Sequence, residues 1–197
     1  YWLASREWYE KRSIPWRRGW LAYGPPGTGK SRLARALGQY GNMPIFSYDL
    51  ATLNNGEFQD NWGDMLSNTP CMALFEDFDA VFRGRDNVTK HPNGLTFDCL
   101  LNTISGAGQA NGVFLFITTN KLELIDEAIG LPKNGTSTRP GRIDRVIEVG
   151  TLPEECRREI ASYILDEWPD EVERIVETTE GFTGAQGFQG NQGAQGF

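Results

Sequence analysis

The glycine-rich octapeptide at residues 24–31, Gly-Pro-Pro-Gly-Thr-Gly-Lys-Ser, constrains this chain more strongly than any other feature. Its first and last glycines are separated by four residues and followed by Lys and Ser, which is the pattern of a phosphate-binding loop. Residues 19–23 form a short apolar run typical of a buried strand, and residues 31–37 have the i, i+3, i+4 apolar spacing of a helix. This order of strand, glycine loop and helix predicts a phosphate site where the helix begins.

Each part of the octapeptide suits an anionic ligand. Glycines allow backbone N–H groups to converge on phosphate oxygens, and the N-terminus of the following helix adds a partial positive charge. We expect Lys30 to reach the β- and γ-phosphates of a nucleotide such as ATP, and Ser31 to bind Mg²⁺. A plain turn between a strand and a helix, without a ligand, is the alternative. The predicted nucleotide-binding residues are Gly24, Pro25, Pro26, Gly27, Thr28, Gly29, Lys30, Ser31 and Arg32.

Length and charge limit the classes of protein that the chain represents. Its 197 residues suffice for one hydrophobic core and a small appendage, and 39% hydrophobic with 23% charged residues is typical of a soluble globular protein. The net charge of −7 argues against nucleic-acid binding over the whole surface. One cluster of basic residues near the start of the chain could still bind nucleic acid locally. The simpler interpretation is that these residues belong to a solvated helix and a basic loop. The cluster comprises Arg6, Lys11, Arg12, Arg17 and Arg18.

Cysteine usage indicates a reducing compartment. Cys71, Cys99 and Cys156 are odd in number, widely spaced and set in apolar runs, which predicts reduced thiols in the core. A single histidine and the lack of a cysteine pair make a zinc site unexpected. No run of about 18 apolar residues occurs, so no membrane segment is expected. The first residues also lack the apolar core of a signal peptide, and we expect an intracellular, cytoplasmic location. The chain starts at Tyr1 rather than at Met, which indicates a fragment.

Apolar runs alternate with helical patterns along the first 150 residues, and this predicts an α/β fold with a parallel sheet flanked by helices. The predicted strands are 19–23, 44–50, 71–75, 113–120 and 146–149. The predicted helices are 1–12, 31–37, 56–66, 95–104 and 122–129, and the polar residues 83–94 are predicted to form a surface loop. The first domain, an α/β core, is expected to span residues 1–150.

Polar side chains follow two of the predicted strands. Glu76 and Asp77 come directly after the unbroken apolar run 71–75, and Asn120 ends the run that begins at residue 113. In doubly wound α/β folds the ligand lies beyond the carboxyl ends of the strands, so we expect these side chains beside the phosphates. The alternative interpretation is that they are solvent-facing strand ends.

The composition changes after residue 150. Residues 154–165 and 170–178 predict charge-rich helices of a partial helical lid subdomain at 151–183. Glycine then recurs at every third position from 181 to 196, the spacing of a collagen-like triple helix. The triplets contain no proline, so a disordered Gly-x-y tail is expected at residues 184–197, with a triple helix as the alternative.

Taken together, these motifs resemble the AAA branch of ring-forming ATPases, and the resemblance covers residues 8–184. It depends on residues 24–31, Glu76-Asp77, Thr118-Thr119-Asn120 and Arg139-Pro140-Gly141-Arg142. Residues 8–19, the Glu-Asp order and residues 95–102 are most similar to the mitochondrial respiratory-complex assembly chaperones of that family.

The resemblance implies a role for each matching residue. Glu76 takes the metal-side position usually held by Asp, and Asp77 takes the catalytic position usually held by Glu. Asn120 matches the polar sensor that holds the attacking water or the γ-phosphate. Arg139 and Arg142 match the arginine fingers that one subunit inserts into its neighbour's site, where they stabilise transition-state charge. Pairing of these arginines within their own chain, with Asp144 or Glu148, is the alternative.

The function implied by the resemblance is Mg²⁺-dependent ATP hydrolysis by a self-associated ring, a hexamer, with chaperone-like action on a protein client. Residues 52–58 lack the aromatic-hydrophobic-glycine trio that grips unfolded polypeptide in many members, so threading of a peptide is not expected. Two rival functions remain: a nucleotide switch without turnover, and the nucleotide-binding head of a collagen-like structural protein.

Overall fold

The computed structural model describes residues 1–89, 91–106, 110–132 and 142–186. The strands are Arg18–Tyr23 (β1), Ile45–Tyr48 (β2), Cys71–Phe75 (β3), Phe82–Arg83 (β4), Asp86–Asn87 (β5), Val113–Thr119 (β6) and Arg145–Glu148 (β7). The α-helices are Arg6–Glu10 (α1), Lys30–Tyr40 (α2), Asn55–Leu66 (α3), Phe78–Val81 (α4), Phe97–Ser105 (α5), Glu154–Ile164 (α6) and Pro169–Thr178 (α7).

The chain forms two compact units. The first comprises Tyr1–Tyr23 and Ser31–Glu148, and the second comprises Gly24–Lys30 and the chain from Val149 onward. The phosphate-loop residues 24–30 are therefore grouped with the C-terminal helices, although they follow β1 directly in sequence.

A five-stranded sheet forms the centre of the first unit, in the order β2-β3-β6-β1-β7. Every neighbouring pair is parallel, as the alternation of strands and helices predicted. Strands β3 and β6 are buried at every residue, which accounts for their unbroken apolar sequences. Because all five strands run the same way, the polar residues that follow β3 and β6 reach the same edge of the sheet.

Helices α3 and α5 supply much of the core beside the sheet. Phe58 and Trp62 of α3 pack with Tyr48 and Phe75 of the strands in an aromatic cluster whose ring centroids lie 5.5–6.2 Å apart. A reciprocal capping box starts α3, since Asn54 Oδ1 accepts from the Glu57 N–H at 3.0 Å while Glu57 accepts from the Asn54 N–H at 2.9 Å.

Two predictions for the first unit were wrong in detail. The predicted surface loop 83–94 begins instead with a hairpin, because β4 and β5 pair antiparallel around a turn in which Gly84 has φ +59°. Phe82, fully buried, anchors this hairpin. The predicted helix 122–129 is two separate 3₁₀ turns, Leu122–Leu124 and Glu127–Ile129, because Asp126 is extended and caps the second turn.

The cysteines only partly follow their prediction as core thiols. Cys71 is buried and Cys99 half-buried, whereas Cys156 on α6 is exposed. Burial raises the pKa of the Cys71 thiol to about 11.

Helices α6 and α7 form the core of the second unit through Ala161, Leu165, Val172, Ile175 and Val176. Residues 184–186 begin a further helix, and Thr183 and Gln186 exchange capping hydrogen bonds at its start. Residues 184–186, the first triplet of the predicted Gly-x-y tail, are therefore helical. Residues 187–197 lie outside the described residues. Among the helices that the structure describes, none is both long enough and apolar enough to cross a membrane.

Candidate functional site

Three glycines give the loop at residues 24–30 its shape. Gly24, Gly27 and Gly29 have φ values of +145°, +79° and +97°, a backbone region that side-chain-bearing residues rarely adopt. At Gly24 an added Cβ would also lie only 2.2 Å from the carbonyl oxygen of Val149. Conformation thus favours glycine at all three positions, and at Gly24 the lack of space requires it as well.

Lys30 lies inside this loop, with only 6% of its surface exposed. Its Nζ donates to the carbonyl oxygens of Gly24 and Pro25, each at 2.8 Å. The hydroxyl of Thr28 donates to the same Pro25 carbonyl at 2.9 Å. These contacts fix the ammonium group within the loop, where a phosphate ligand requires a positive charge. Ser31 and Arg32 follow in the first turn of α2.

The start of the helix at residue 184 contacts the loop within the second unit. The backbone N–H of Ala185 donates to the carbonyl of Gly27 at 3.1 Å, and an added Cβ on Gly27 would lie 3.1 Å from the Thr183 hydroxyl. These contacts with Gly27 were not predicted, because the two segments are far apart in the chain.

Glu76 and Asp77 follow β3 as predicted, and they have different surroundings. The Glu76 carboxylate lies 3.6 Å from the Arg35 guanidinium on α2 and accepts from the Ser47 hydroxyl at 3.5 Å. Asp77 is exposed and has a left-handed backbone, with φ +47° and ψ +49°. Its N–H donates to the Thr118 hydroxyl of β6 at 3.0 Å, which holds this strained conformation in place.

Asn120 lies beside Asp77, as its position after β6 predicted. Its side-chain N–H donates to Asp77 Oδ1 at 3.3 Å. A third carboxylate, Asp79, accepts the Asn120 backbone N–H and the Thr119 hydroxyl, both at 2.8 Å. Asp79 was not predicted to be a site residue. The only feature of the sequence that could have indicated it is its position in the same acidic run as Glu76 and Asp77.

Of the two predicted arginine fingers, the structure describes only Arg142. Arg142 donates to the carbonyl oxygen of Ala128 in its own chain at 2.7 Å. Arg139 lies outside the described residues. Nearby, Asp144 accepts from the Gly19 N–H at 3.1 Å and lies 3.8 Å from the Arg18 guanidinium. Arg142 thus makes a hydrogen bond within its own chain.

The metal-side residues, Ser31 and Glu76, supply a hydroxyl and a carboxylate oxygen, the hard donors that Mg²⁺ prefers. Among the described residues, no group of three or more His, Cys, Asp or Glu side chains could hold a metal ion. Mg²⁺ usually takes one or two protein oxygens and completes its shell with phosphates and waters. The donors present therefore fit an Mg²⁺ ion that arrives with a nucleotide.

Comparison with known proteins adds a family match. The family model described as "ATPase family associated with various cellular activities (AAA)" matches residues 20–151. The probable mitochondrial chaperone BCS1-A of Dictyostelium discoideum is 39% identical over 156 residues, covering 75% of this chain and 35% of that protein. The mitochondrial chaperone BCS1 of Homo sapiens is 36% identical over 156 residues, with the same coverage of 75% and 35%.

A more distant relative matches a longer part of the chain. The cell division cycle protein 48 homolog of Archaeoglobus fulgidus is 28% identical over 194 residues, covering 93% of this chain and 25% of that protein. The chain therefore spans only 35% of the length of either chaperone and less of this third protein.

Proposed function

The chain belongs to the ATPase family associated with various cellular activities (AAA), and we propose that it binds ATP with Mg²⁺ at residues 24–31 and hydrolyses the γ-phosphate bond. The observation that carries the proposal is the loop, in which three glycines adopt positive φ around a buried Lys30. The expected likeness to mitochondrial chaperones is confirmed by the matching relatives.

In the proposed reaction, backbone N–H groups of the loop and Lys30 hold the β- and γ-phosphates. Asp77 accepts a proton from the attacking water, and Asn120 orients that water. The hydrogen bond between Asn120 and Asp77 supports these roles, because it fixes the two side chains relative to each other. Asp is one methylene shorter than the Glu usual at this position, and the left-handed backbone of Asp77 together with its bond to Thr118 determines where the short carboxylate points.

Ser31 and Glu76 are the residues that we propose to hold Mg²⁺. When bound, the ion neutralises negative charge on the β- and γ-phosphate oxygens. The contacts of Glu76 with Arg35 and Ser47 keep its carboxylate at the end of β3.

We extend the proposal to self-association in a hexameric ring, in which Arg139 and Arg142 of one subunit complete the site of the next. Guanidinium groups stabilise charge that develops on the transferred phosphoryl group. The intrachain bond of Arg142 to Ala128 makes Arg139 the cleaner residue for testing this contribution.

The proposed biological activity is remodelling of a protein client, since two of the relatives are named mitochondrial chaperones. In this proposal, residues 1–150 form the ATPase core, residues 151–183 part of a helical lid, and residues 184–197 carry the glycine repeat.

Phosphate release measured against chain concentration tests the proposal. We expect Mg²⁺-dependent release whose rate per subunit rises with concentration, because each site needs a neighbour. ATP binding without release at any concentration would indicate the rival function, a nucleotide switch. Absence of both binding and release would contradict the proposal altogether.

A further inference from the structure

We propose that Asp79 is a positioning residue for ATP hydrolysis, which holds Asn120 against Asp77 by fixing the turn after β6. The proposal rests on the proposed function, since Asp79 would act on hydrolysis only through Asn120 and Asp77, the residues proposed to act on the attacking water. It concerns the first unit only and depends on hydrogen bonds between the ends of β3 and β6.

Oδ1 of Asp79 is the centre of this arrangement. It accepts the Thr119 hydroxyl and the Asn120 backbone N–H, both at 2.8 Å. Thr119 is fully buried. Its hydroxyl donates its proton to Asp79, and the hydroxyl oxygen accepts from the Lys121 N–H at 3.2 Å. Asp79 thus fixes residues 119–121 through both backbone and side chain, and bonds to a charged acceptor are the stronger kind.

The same turn carries the side chain that acts on the proposed catalytic residue. Asn120 donates to Asp77 from its side chain at 3.3 Å while its backbone N–H is held by Asp79. The backbone N–H of Asp77 in turn donates to the Thr118 hydroxyl at 3.0 Å. The two strand ends therefore exchange hydrogen bonds. Thr119 and Asn120 at the end of β6 donate to Asp79 and Asp77, and the Asp77 N–H after β3 donates to Thr118.

Removing one link should shift the reacting groups, whereas the hydrogen bonds of Lys30 and Thr28 in the phosphate loop do not involve Asp79. A misplacement of about 1 Å costs on the order of 100-fold in rate when the groups must be aligned. For Asp79→Ala we therefore expect kcat to fall about 10–100-fold, with KM for ATP changed by less than about 3-fold. Asp79→Asn retains an oxygen acceptor and should lose about 5-fold or less.

A double-mutant comparison separates positioning from a general structural role. If Asp79 acts through Asn120, the double variant Asp79→Ala, Asn120→Ala should hydrolyse ATP no more slowly than Asn120→Ala alone. Additive losses, or an unchanged kcat in Asp79→Ala, would overturn the proposal. Asp60→Ala, which removes an exposed carboxylate from α3, is the matched control and should retain the wild-type rate.

Amide hydrogen exchange gives a readout that does not depend on activity. We expect the Asn120 N–H to be protected in the wild-type chain and to lose protection selectively in Asp79→Ala, while β1 and β3 stay protected. Retained protection at Asn120 would overturn the positioning role alone. A wild-type chain that hydrolyses no ATP would instead overturn the proposed function, so the two failures are distinguishable.

Discussion

The side-chain amide of Asn120 donates to the carboxylate of Asp77 across 3.3 Å, and this bond joins the ends of two neighbouring parallel strands. The two residues are 43 positions apart in the sequence. Their meeting follows from the parallel pairing of β3 and β6, which brings both carboxyl ends to one edge of the sheet.

Replacement of Asp77 by Asn tests its role as the group that activates water. We expect Asp77→Asn to bind ATP nearly as well as the wild type and to lower kcat about 10²–10⁴-fold, the usual contribution of a general base. Nucleotide binding by calorimetry and steady-state phosphate release are the measurements. Asp60→Asn on α3 is the control, and a wild-type rate in Asp77→Asn would move the role to another carboxylate such as Glu76.

The sequence predicted the parts of this site that depend on continuous patterns. The apolar run 71–75 became β3 with the same ends, and the glycine motif became a loop with three positive φ values. In both cases the signal lies within a few neighbouring residues.

The parts that were missed depend on register between distant segments. The hydrogen bonds of Thr118 and Asp79 were not predicted, because they form only when β3 and β6 pair so that Phe75 lies opposite Ile117. The hairpin of β4 and β5 was missed because its strands have two residues each and only Phe82 is buried among polar neighbours. No local pattern distinguishes such a hairpin from a loop.

Alanine at position 24 should destabilise the chain through its backbone. Gly24 has φ +145°, and a Cβ would lie 2.2 Å from Val149 O, so we expect Gly24→Ala to lower the free energy of unfolding by about 2 kcal/mol. The matched control is Gly63→Ala in α3, where nothing lies within 4 Å of the added Cβ. There the free energy should rise by about 0.5–1 kcal/mol, since alanine favours the helix. Urea unfolding of both variants checks the difference, and equal shifts would contradict it.

Thiol reactivity should separate the exposed from the buried cysteine. Burial raises the pKa of Cys71 from 9.0 to about 11, so its reactive thiolate is scarce at pH 8 in the folded chain. We expect iodoacetamide at pH 8 to modify Cys156 rapidly and Cys71 only after unfolding, as read by mass spectrometry. Similar rates at the two residues in the folded chain would be inconsistent with this fold.

The same shift in pKa has a defined effect on stability. The unfolded thiol loses its proton at lower pH than the folded thiol, so unfolding becomes more favourable as pH rises from 9.0 towards about 11. Cys71→Ala should remove this part of the pH dependence of the unfolding free energy. If the unfolding free energy of the variant still falls as steeply between pH 9 and 11, groups other than Cys71 cause the effect.

Mixing two inactive variants tests the shared site. Lys30→Ala lacks the phosphate-binding ammonium, and Arg139→Ala lacks the proposed contribution to a neighbour. A mixture should recover part of the hydrolysis, because an Arg139→Ala subunit with an intact loop receives Arg139 from a Lys30→Ala neighbour. Mixing Lys30→Ala with a chain that carries both substitutions is the control and should stay inactive. No recovery at any ratio would contradict a site shared between subunits.

The central claim, ATP hydrolysis at residues 24–31, is tested most directly by phosphate release from Lys30→Ala beside Lys11→Ala. Lys30 is buried in the loop, whereas Lys11 is exposed and pairs with Glu7 at 3.5 Å. Mg²⁺-dependent release that is lost in Lys30→Ala and kept in Lys11→Ala is the predicted result. Release that persists at the wild-type rate in Lys30→Ala would contradict the claim.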